Sequence, residues 1–384
     1  MDFTFSHEQQ AVSEAAAGIF AGMAAPERVA AVEQGTDRVD EELWAELAKA
    51  QLLGLVVPES QGGAGLGLTE ACLVLEQQGR HVAPVPLWAT TVLGALPLAR
   101  FGSETQQDKL LPALCQGTVR MSAALTEVAS NPRQRPAATA THEGGGGWRL
   151  TGHLRAVPQA HVADRILVPA HCPSLAGGVM VAIVDPDSPG VVLEPALTTD
   201  RQVHPHVELD GLHIGPDEVI APPEGGAAVV SFMVEAALTG LCALALGVAE
   251  EALARAAAYT NERHQFGRPL SAFQGTMLRA ADAYIDTEAM RVTTWQAAWR
   301  LDTGRPAAQA VAVAKWWASE AGQRVAHTTQ HLHGGLGADV TYPIHRYFLW
   351  AKQIELMLEG PAAQLARLGD LVAEELLASL PERP

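Results

Sequence analysis

Apolar residues recur every three or four positions in "EQQAVSEAAAGIFAGM", "EELWAELAKAQLLGLV" and "TEACLVLEQQGRHV". That is the repeat of an amphipathic helix, so the chain from Phe3 to about Gly117 predicts a helical region, with "SQGGAGLG" as a loop between two of its helices. Between about Val119 and Pro222 the period changes. "WRLTGHL", "RILVPA", "VMVAIVDP", "GVVLEP" and "HVELDGLHI" are short, valine-rich and split by Gly, Pro or Asp, which predicts strands. After Pro223 the helical pattern returns and runs to the end, with Glu251 and Arg255 placed as an i,i+4 pair. The pattern predicts an α+β chain of three parts: a helical domain over 1–118, a β-barrel or sandwich over 119–222 and a helical bundle over 223–384.

The first helix of the last part, roughly Ala227 to Asn261, is apolar almost all round. A surface helix would show a polar face, so this one predicts enclosure by other helices, from this chain or from another subunit. The long patterns that follow predict an antiparallel bundle. Trp295, Trp316 and Trp317 fall at helical spacing and read as core.

Size agrees with several domains, since 384 residues are many for one core. No apolar run reaches membrane-spanning length free of polar breaks. "MDFTFSHEQQ" lacks the basic start and apolar stretch of a signal peptide, so a cytoplasmic protein is expected. Cys72, Cys115, Cys172 and Cys242 are scattered without CxxC spacing, and neither disulfide nor metal is assigned. The formal charge of −17 argues against nucleic acid. A phosphorylated ligand would need local arginines, helix N-termini or backbone amides. No Gly-x-Ser-x-Gly elbow is present, no lysine follows a glycine loop as a Walker motif requires, and "GGAGLG" at 62–67 lies between helices rather than after a strand.

Two segments of the last part carry candidate chemistry. "NERHQFGRPLSAFQ", residues 261–274, interrupts what could have been one long helix. As structure alone it is a helix corner, Gly267 supplying a left-handed cap and Pro269 preventing continuation. Arg263 and Gln274 flank the corner and are not explained by it. In "QHLHGGLGADVTYPIHRYF", Gly334, Gly335 and Gly337 would let backbone approach a ligand closely, and His331 lies just ahead of them.

Both segments, in this order and at this separation, resemble the acyl-CoA dehydrogenase family. "MDFTFSHEQQ", "GSETQQDKLLPALCQGTV", "ALTE" at 124–127, "WRLTGHLRAVPQAHVADRILVPA", "RHQFGRPLSAFQ" and "HGGLG" follow that family's pattern along nearly the whole chain. The resemblance implies helical, β and helical domains, FAD at a subunit interface, and a tetramer of paired dimers. It implies that Arg263, Gln265, Phe266, Gln274, His331, Gly334 and Gly335 lie along FAD held mainly by a neighbouring subunit, and that Thr126 opens the loop facing this chain's own flavin. A guanidinium can grip a diphosphate bidentately, and glycines admit it closely. The implied reaction is α,β-desaturation of an acyl-CoA thioester, in which a glutamate removes the α-proton while a hydride leaves for the flavin. An electron-transfer flavoprotein is a further implied partner.

The chain departs from the family where its own flavin would sit. After Thr126 it reads Glu127-Val128-Ala129-Ser130-Asn131-Pro132, without the family's glycines and serine. Ala156-Val157-Pro158 replaces the aromatic-Ile-Thr beside the ring, and proline brings neither N–H nor hydroxyl. "LMLEGPAAQLARL" resembles the family's base segment and points to Glu359, yet ungapped counting from Gly334 puts Leu358 on the base position. One residue turns a helical side chain by about 100°. Glu359 is therefore either a base reached through a local insertion or a carboxylate at a helix end. Some members carry the base on the first long C-terminal helix, where this chain has Ala237, with Glu235 two residues away. Arg279 and Arg291 are conceivable contacts to CoA.

Three functions remain open. One is a self-sufficient homo-oligomeric dehydrogenase using Glu359. The second is a subunit of a heterotetramer that completes a homologous partner's FAD site, resembling actinobacterial members that act on CoA thioesters of sterol side chains. The third is a flavin-free structural or interaction subunit.

Overall fold

The computed structural model describes residues 3–129, 135–143, 145 and 147–379. Ser130, Asn131 and Pro132 of the altered flavin loop lie outside the described residues. The N-terminal region is helical: α1 (His7–Met23), α2 (Pro26–Val32), α3 (Glu41–Lys49), α4 (Leu68–His81), a buried π-helical stretch Trp88–Ala95, α5 (Leu96–Phe101) and α6 (Glu104–Cys115). Ser6 and Ser103 cap α1 and α6 in reciprocal boxes with Gln9 and Gln106, satisfying first-turn amides that would otherwise lack partners. The helix read through "EELWAELAKAQLLGLV" stops at Lys49, because Gln51 takes a positive φ of 63° and the chain turns.

Eight strands follow: β1 (Met121–Ala123), then the one-turn helix α7 (Thr126–Ala129), β2 (Ala138–His142), β3 (Trp148–Leu154), β4 (Arg165–Cys172), β5 (Gly178–Val184), β6 (Val191–Glu194), β7 (His206–Ile214) and β8 (Val219–Ala221). They form one mixed sheet in the order β6-β7-β3-β2-β4-β5-β8, with β1 also pairing β4; β1 and β2 run parallel to β4, and the other pairs are antiparallel. β4 and β5 are buried on both faces, as strands covered on both sides require, whereas β3 alternates buried and exposed positions. Ile166, Val168 and Ala170 of β4 pack in the sheet's own core, while Leu167 between them joins the helical core, and β5 divides in the same way.

The C-terminal bundle comprises α8 (Gly226–Glu262), a two-stranded hairpin β9 (His264–Gln265) and β10 (Arg268–Pro269), then α9 (Gln274–Asp302), α10 (Ala308–Leu332), α11 (Ile344–Leu356) and α12 (Pro361–Ser379). Every residue of α8 from Ala236 to Glu250 is buried. Its enclosure comes from this chain's α4, α9, α10 and α11. By length and composition α8 is apolar enough to cross a membrane, contrary to the expectation from sequence, but 78% of its most apolar window is buried inside the protein. It crosses α4 with backbones in contact: a Cβ on Gly247 would stand 1.9 Å from the Glu76 carbonyl oxygen. Glu251 and Arg255 form the expected pair at 2.9 Å.

Ion pairs join the three parts. Glu33, 5% exposed, accepts two hydrogen bonds of 3.0 Å from Arg346 of α11 and a third from Arg201 in the loop between β6 and β7. Thr199 of that loop donates its N–H to Gln353 of α11. The loop is thereby pinned against the bundle. One face of α9 has no cover among the described residues: Met277, Leu278, Tyr284 and Ile285 are each more than half exposed. The four cysteines are free.

Candidate functional site

The end of α8 builds the first element of the site. Arg263 leaves the helix in extended conformation while its N–H still bonds to Tyr259 O at 2.8 Å. The chain then makes a tight hairpin, Gln265 opposite Arg268 and His264 opposite Pro269, closed by Leu270 N–H to Arg263 O at 2.8 Å. Phe266 (φ 54°) and Gly267 (φ 78°) form its two-residue turn. Two consecutive positive φ values characterise the turn that best matches strand twist. The corner expected from Gly267 as a helix cap is thus a hairpin instead; Gly267 serves the turn, and the helix has already ended at Glu262. Phe266 is 90% exposed at its tip, and Arg268 lies over the Phe273 ring at 4.1 Å. Gln274 is exposed at the first position of α9.

The second element is the end of α10. Gly334–Ala338 form a single 3-10 turn, with Gly334 at φ 60°. The two histidines divide. His331 is exposed, whereas His333 is 1% exposed and donates from Nδ1 to Thr329 O at 2.7 Å. Burial pushes its pKa down, which favours the neutral ring. That ring stacks on Tyr259 with centroids 4.8 Å apart and planes at 21°. Because Tyr259 lies one turn ahead of Arg263, the stack holds the hairpin and the glycine turn on one edge of the bundle.

Along this edge polar capacity is unspent. Among the described residues the side chains of Arg263, Gln265, Gln274 and His331 make no hydrogen bond or ion pair within the chain. A Cβ at Gly334 or Gly335 would meet nothing within 4 Å, so packing inside the chain does not call for glycine at Gly335. At Gly337 it does, since a Cβ would stand 2.3 Å from Gln330 O. Of the other arginines considered, Arg291 is consumed by Glu250 and Glu288, and Arg279 lies in an open cleft between α9 and α10.

The second region, where the altered segment after β3 meets the loop between β6 and β7 and the helices, is nearly closed. Thr126 begins α7, and Glu127 accepts the Arg155 N–H at 2.8 Å. In the segment that departs from the family, donors are spent internally: Ala156 N–H on His206 Nδ1 at 3.1 Å, Val157 N–H on Pro205 O at 2.8 Å. Pro158 has no N–H, and its carbonyl accepts from Ser122. The Gln159 amide reaches Gln202 at 2.7 Å, Gln202 reaches Asp200 at 2.9 Å, and Thr198 donates to Asp200 as well. With His204, Trp88 and Trp350 these side chains leave a cavity of about 30 Å³. That is the share of one water. Burial raises the Asp200 pKa and lowers that of His204 to about 4, with His161 adding to the latter. No periodic pattern marks Asp200, Gln202 and His204, which lie in the irregular loop between β6 and β7.

Glu359 does not line that cavity. The chain turns out of α11 through two positive φ values, Leu358 at 50° and Glu359 at 82°, with Leu358 buried and Glu359 half-buried. Lys315, fully buried on α10, holds the helix end with Nζ bonds to Ile354 O at 2.6 Å and Glu355 O at 3.2 Å. Ala237 is fully buried, and its carbonyl accepts from the Trp88 indole at 3.1 Å. Glu235 is half-buried, its pKa raised by burial and opposed by Arg367. No group of three potential metal ligands occurs among the described residues.

Residues 225–368 match the family model described as acyl-CoA dehydrogenase, C-terminal domain, and residues 6–118 match the acyl-CoA dehydrogenase N-terminal domain. Acyl-CoA dehydrogenase FadE27 of Mycobacterium tuberculosis is 38% identical over 97% of this chain and 99% of its own. Among solved structures, a variant of the Tcur3481-Tcur3483 steroid ACAD is 45% identical, with a TM-score of 0.89 over 96% of this chain and 99% of that one. A chain of the ChsE4-ChsE5 complex from Mycobacterium tuberculosis is 37% identical, with a TM-score of 0.90 over 99% of this chain and 100% of that one.

Proposed function

This chain belongs to the acyl-CoA dehydrogenase family of FAD-dependent oxidoreductases, and from that premise we propose that it is the subunit of a hetero-oligomer that completes a homologous partner's FAD site. The observation that carries the reading is a contrast. The edge at Arg263 holds a cation and amides with no partner among the described residues, while the chamber beside the altered segment Ala156-Val157-Pro158, lined by Gln159, Asp200, Gln202 and His204, measures about 30 Å³. Ligand pockets for groups of cofactor size span roughly 300–1,000 Å³. The donor chemistry of the edge fits a dinucleotide; the chamber does not fit a flavin ring.

Bound FAD supplies a hydride acceptor for desaturation of the acyl-CoA thioester. The residues of this chain bind and orient it. Arg263 can present two parallel N–H donors to a diphosphate, a geometry that a lysine cannot match. Gly334 and Gly335 leave room for close backbone approach, Gln265, Gln274 and His331 add uncommitted polar groups, and Phe266 offers an apolar surface. The Tyr259–His333 stack keeps these groups in register. Base and ring contacts then come from the partner, and Glu359 of this chain is not the base. The uncovered apolar face of α9 supports assembly with a second subunit. The likeness to a steroid ACAD and to a ChsE4-ChsE5 complex supports a heteromeric enzyme acting on CoA thioesters of sterol or other lipid side chains.

The test is visible absorbance of the chain purified alone and co-expressed with a homologous dehydrogenase subunit. Flavin is expected only in the mixed oligomer, and Arg263→Ala in this chain should weaken its retention about tenfold or more, the loss of a charged hydrogen-bonded pair being worth about 1.5–3 kcal/mol. A yellow homo-oligomer would instead identify a self-sufficient enzyme, and a colourless complex a structural subunit.

A further inference from the structure

A second cavity, of about 140 Å³, lies where the first turns of α8 meet the sheet and α12. Val230 and Val234 of α8, Val179 of β5 and Val128 of α7 give it apolar walls, and exposed Ser231 stands at its rim. Arg367 of α12 is the exception. It lines the cavity yet is only 9% exposed, and its Nε and Nη1 have no hydrogen-bond partner among the described residues. Glu235 acts on it through space, but no ion pair joins the two among the described residues.

A buried guanidinium without a counter-ion is costly in an apolar setting. Its donors are planar and parallel, the arrangement that a carboxylate accepts in two bonds. The remaining walls suit alkyl carbon, and an aliphatic-lined cavity of roughly 150 Å³ is known to hold a benzene-sized guest. We propose that this cavity is a binding site for a short-chain aliphatic carboxylate of four to five carbons, the carboxylate on Arg367 and the alkyl tail among Val179, Val230 and Val234. The inference rests on this chain alone and does not depend on the partner's FAD.

The probe is sodium butyrate, compared with 1-butanol and sodium phosphate at matched ionic strength on the full-length chain, read by thermal shift and by calorimetric titration. Butyrate is expected to bind at one site per chain and raise Tm saturably, whereas butanol lacks the charge and phosphate lacks the tail. Arg367→Met, which removes a charge with no ion-pair partner among the described residues, should raise the half-saturating butyrate concentration at least about tenfold. Val234→Phe keeps the charge and fills the cavity, and should abolish the response. Equal responses to butyrate and phosphate, or wild-type butyrate binding in either variant, would overturn the proposal.

Discussion

Tyr259 on α8 and His333 just past the end of α10 lie 74 residues apart in sequence, and their rings stack at 4.8 Å. Through that contact the hairpin carrying Arg263 and the turn carrying Gly334 and Gly335 become one surface. Each segment alone resembles ordinary helix punctuation.

Gly335 and Gly337 separate binding from folding. Gly335→Ala meets nothing within 4 Å in the chain, so its stability should stay within about 0.5 kcal/mol of wild type, while flavin retention by the mixed oligomer drops. Gly337→Ala drives a methyl against Gln330 O at 2.3 Å and should cost about 1–3 kcal/mol. Urea unfolding of the chain and flavin content of the complex read the two effects independently.

Glu359→Gln should leave turnover of the assembled enzyme within about twofold of wild type. Loss of a true general base would cost about 10²-fold or more, so a steady-state assay of the complex separates the outcomes.

Acid should destabilise the chain through His204. Its folded pKa of about 4 lies below the ordinary 6.5, so between these values the unfolded state binds the extra proton and stability falls as pH falls. His333 and His345 are displaced in the same direction by burial. Asp200, raised by burial, works the opposite way. Denaturant titrations from pH 7 to pH 4 should show wild type losing stability relative to His204→Phe, by up to about 1.4 kcal/mol per pH unit inside that window.

Lys315 behaves as a buried cation at a helix end. Its pKa is lowered from 10.5 to about 8 by burial, so the unfolded chain holds a proton that the native state has released between those values, and stability rises with pH across them. Lys315→Met leaves the Ile354 and Glu355 carbonyls without this donor and should cost about 1–3 kcal/mol. The gap to wild type should widen as pH rises from 8 to 10.5, as measured by urea midpoints.

Period and composition carried the helix–strand–helix architecture because α8, β4 and β5 are buried by repeating patterns: a helix apolar all round and strands apolar on both faces. The candidate edge was legible as well, since Arg263, Phe266, Gly267 and the glycines after His331 are unusual residues in a helical context. What escaped depends on contacts distant in sequence. The Gln159–Gln202–Asp200 chain joins an altered segment to a loop with no periodic signal, and the partnerless state of Arg367 appears only when its neighbours are in place. The hairpin at Gly267 was missed because Gly followed by Pro also suits a helix cap. Only the paired positive φ of Phe266 distinguishes the two.

The Phe266 tip and the bare stripe of α9 also bear on how the protein is made. In the proposed heteromer, a copy synthesised without its mate would show the cell an aromatic knob and a row of oily side chains, the marks by which chaperones and proteases recognise an orphan. The amount that accumulates would then follow the supply of the other polypeptide, so the proposal carries with it balanced output of the two.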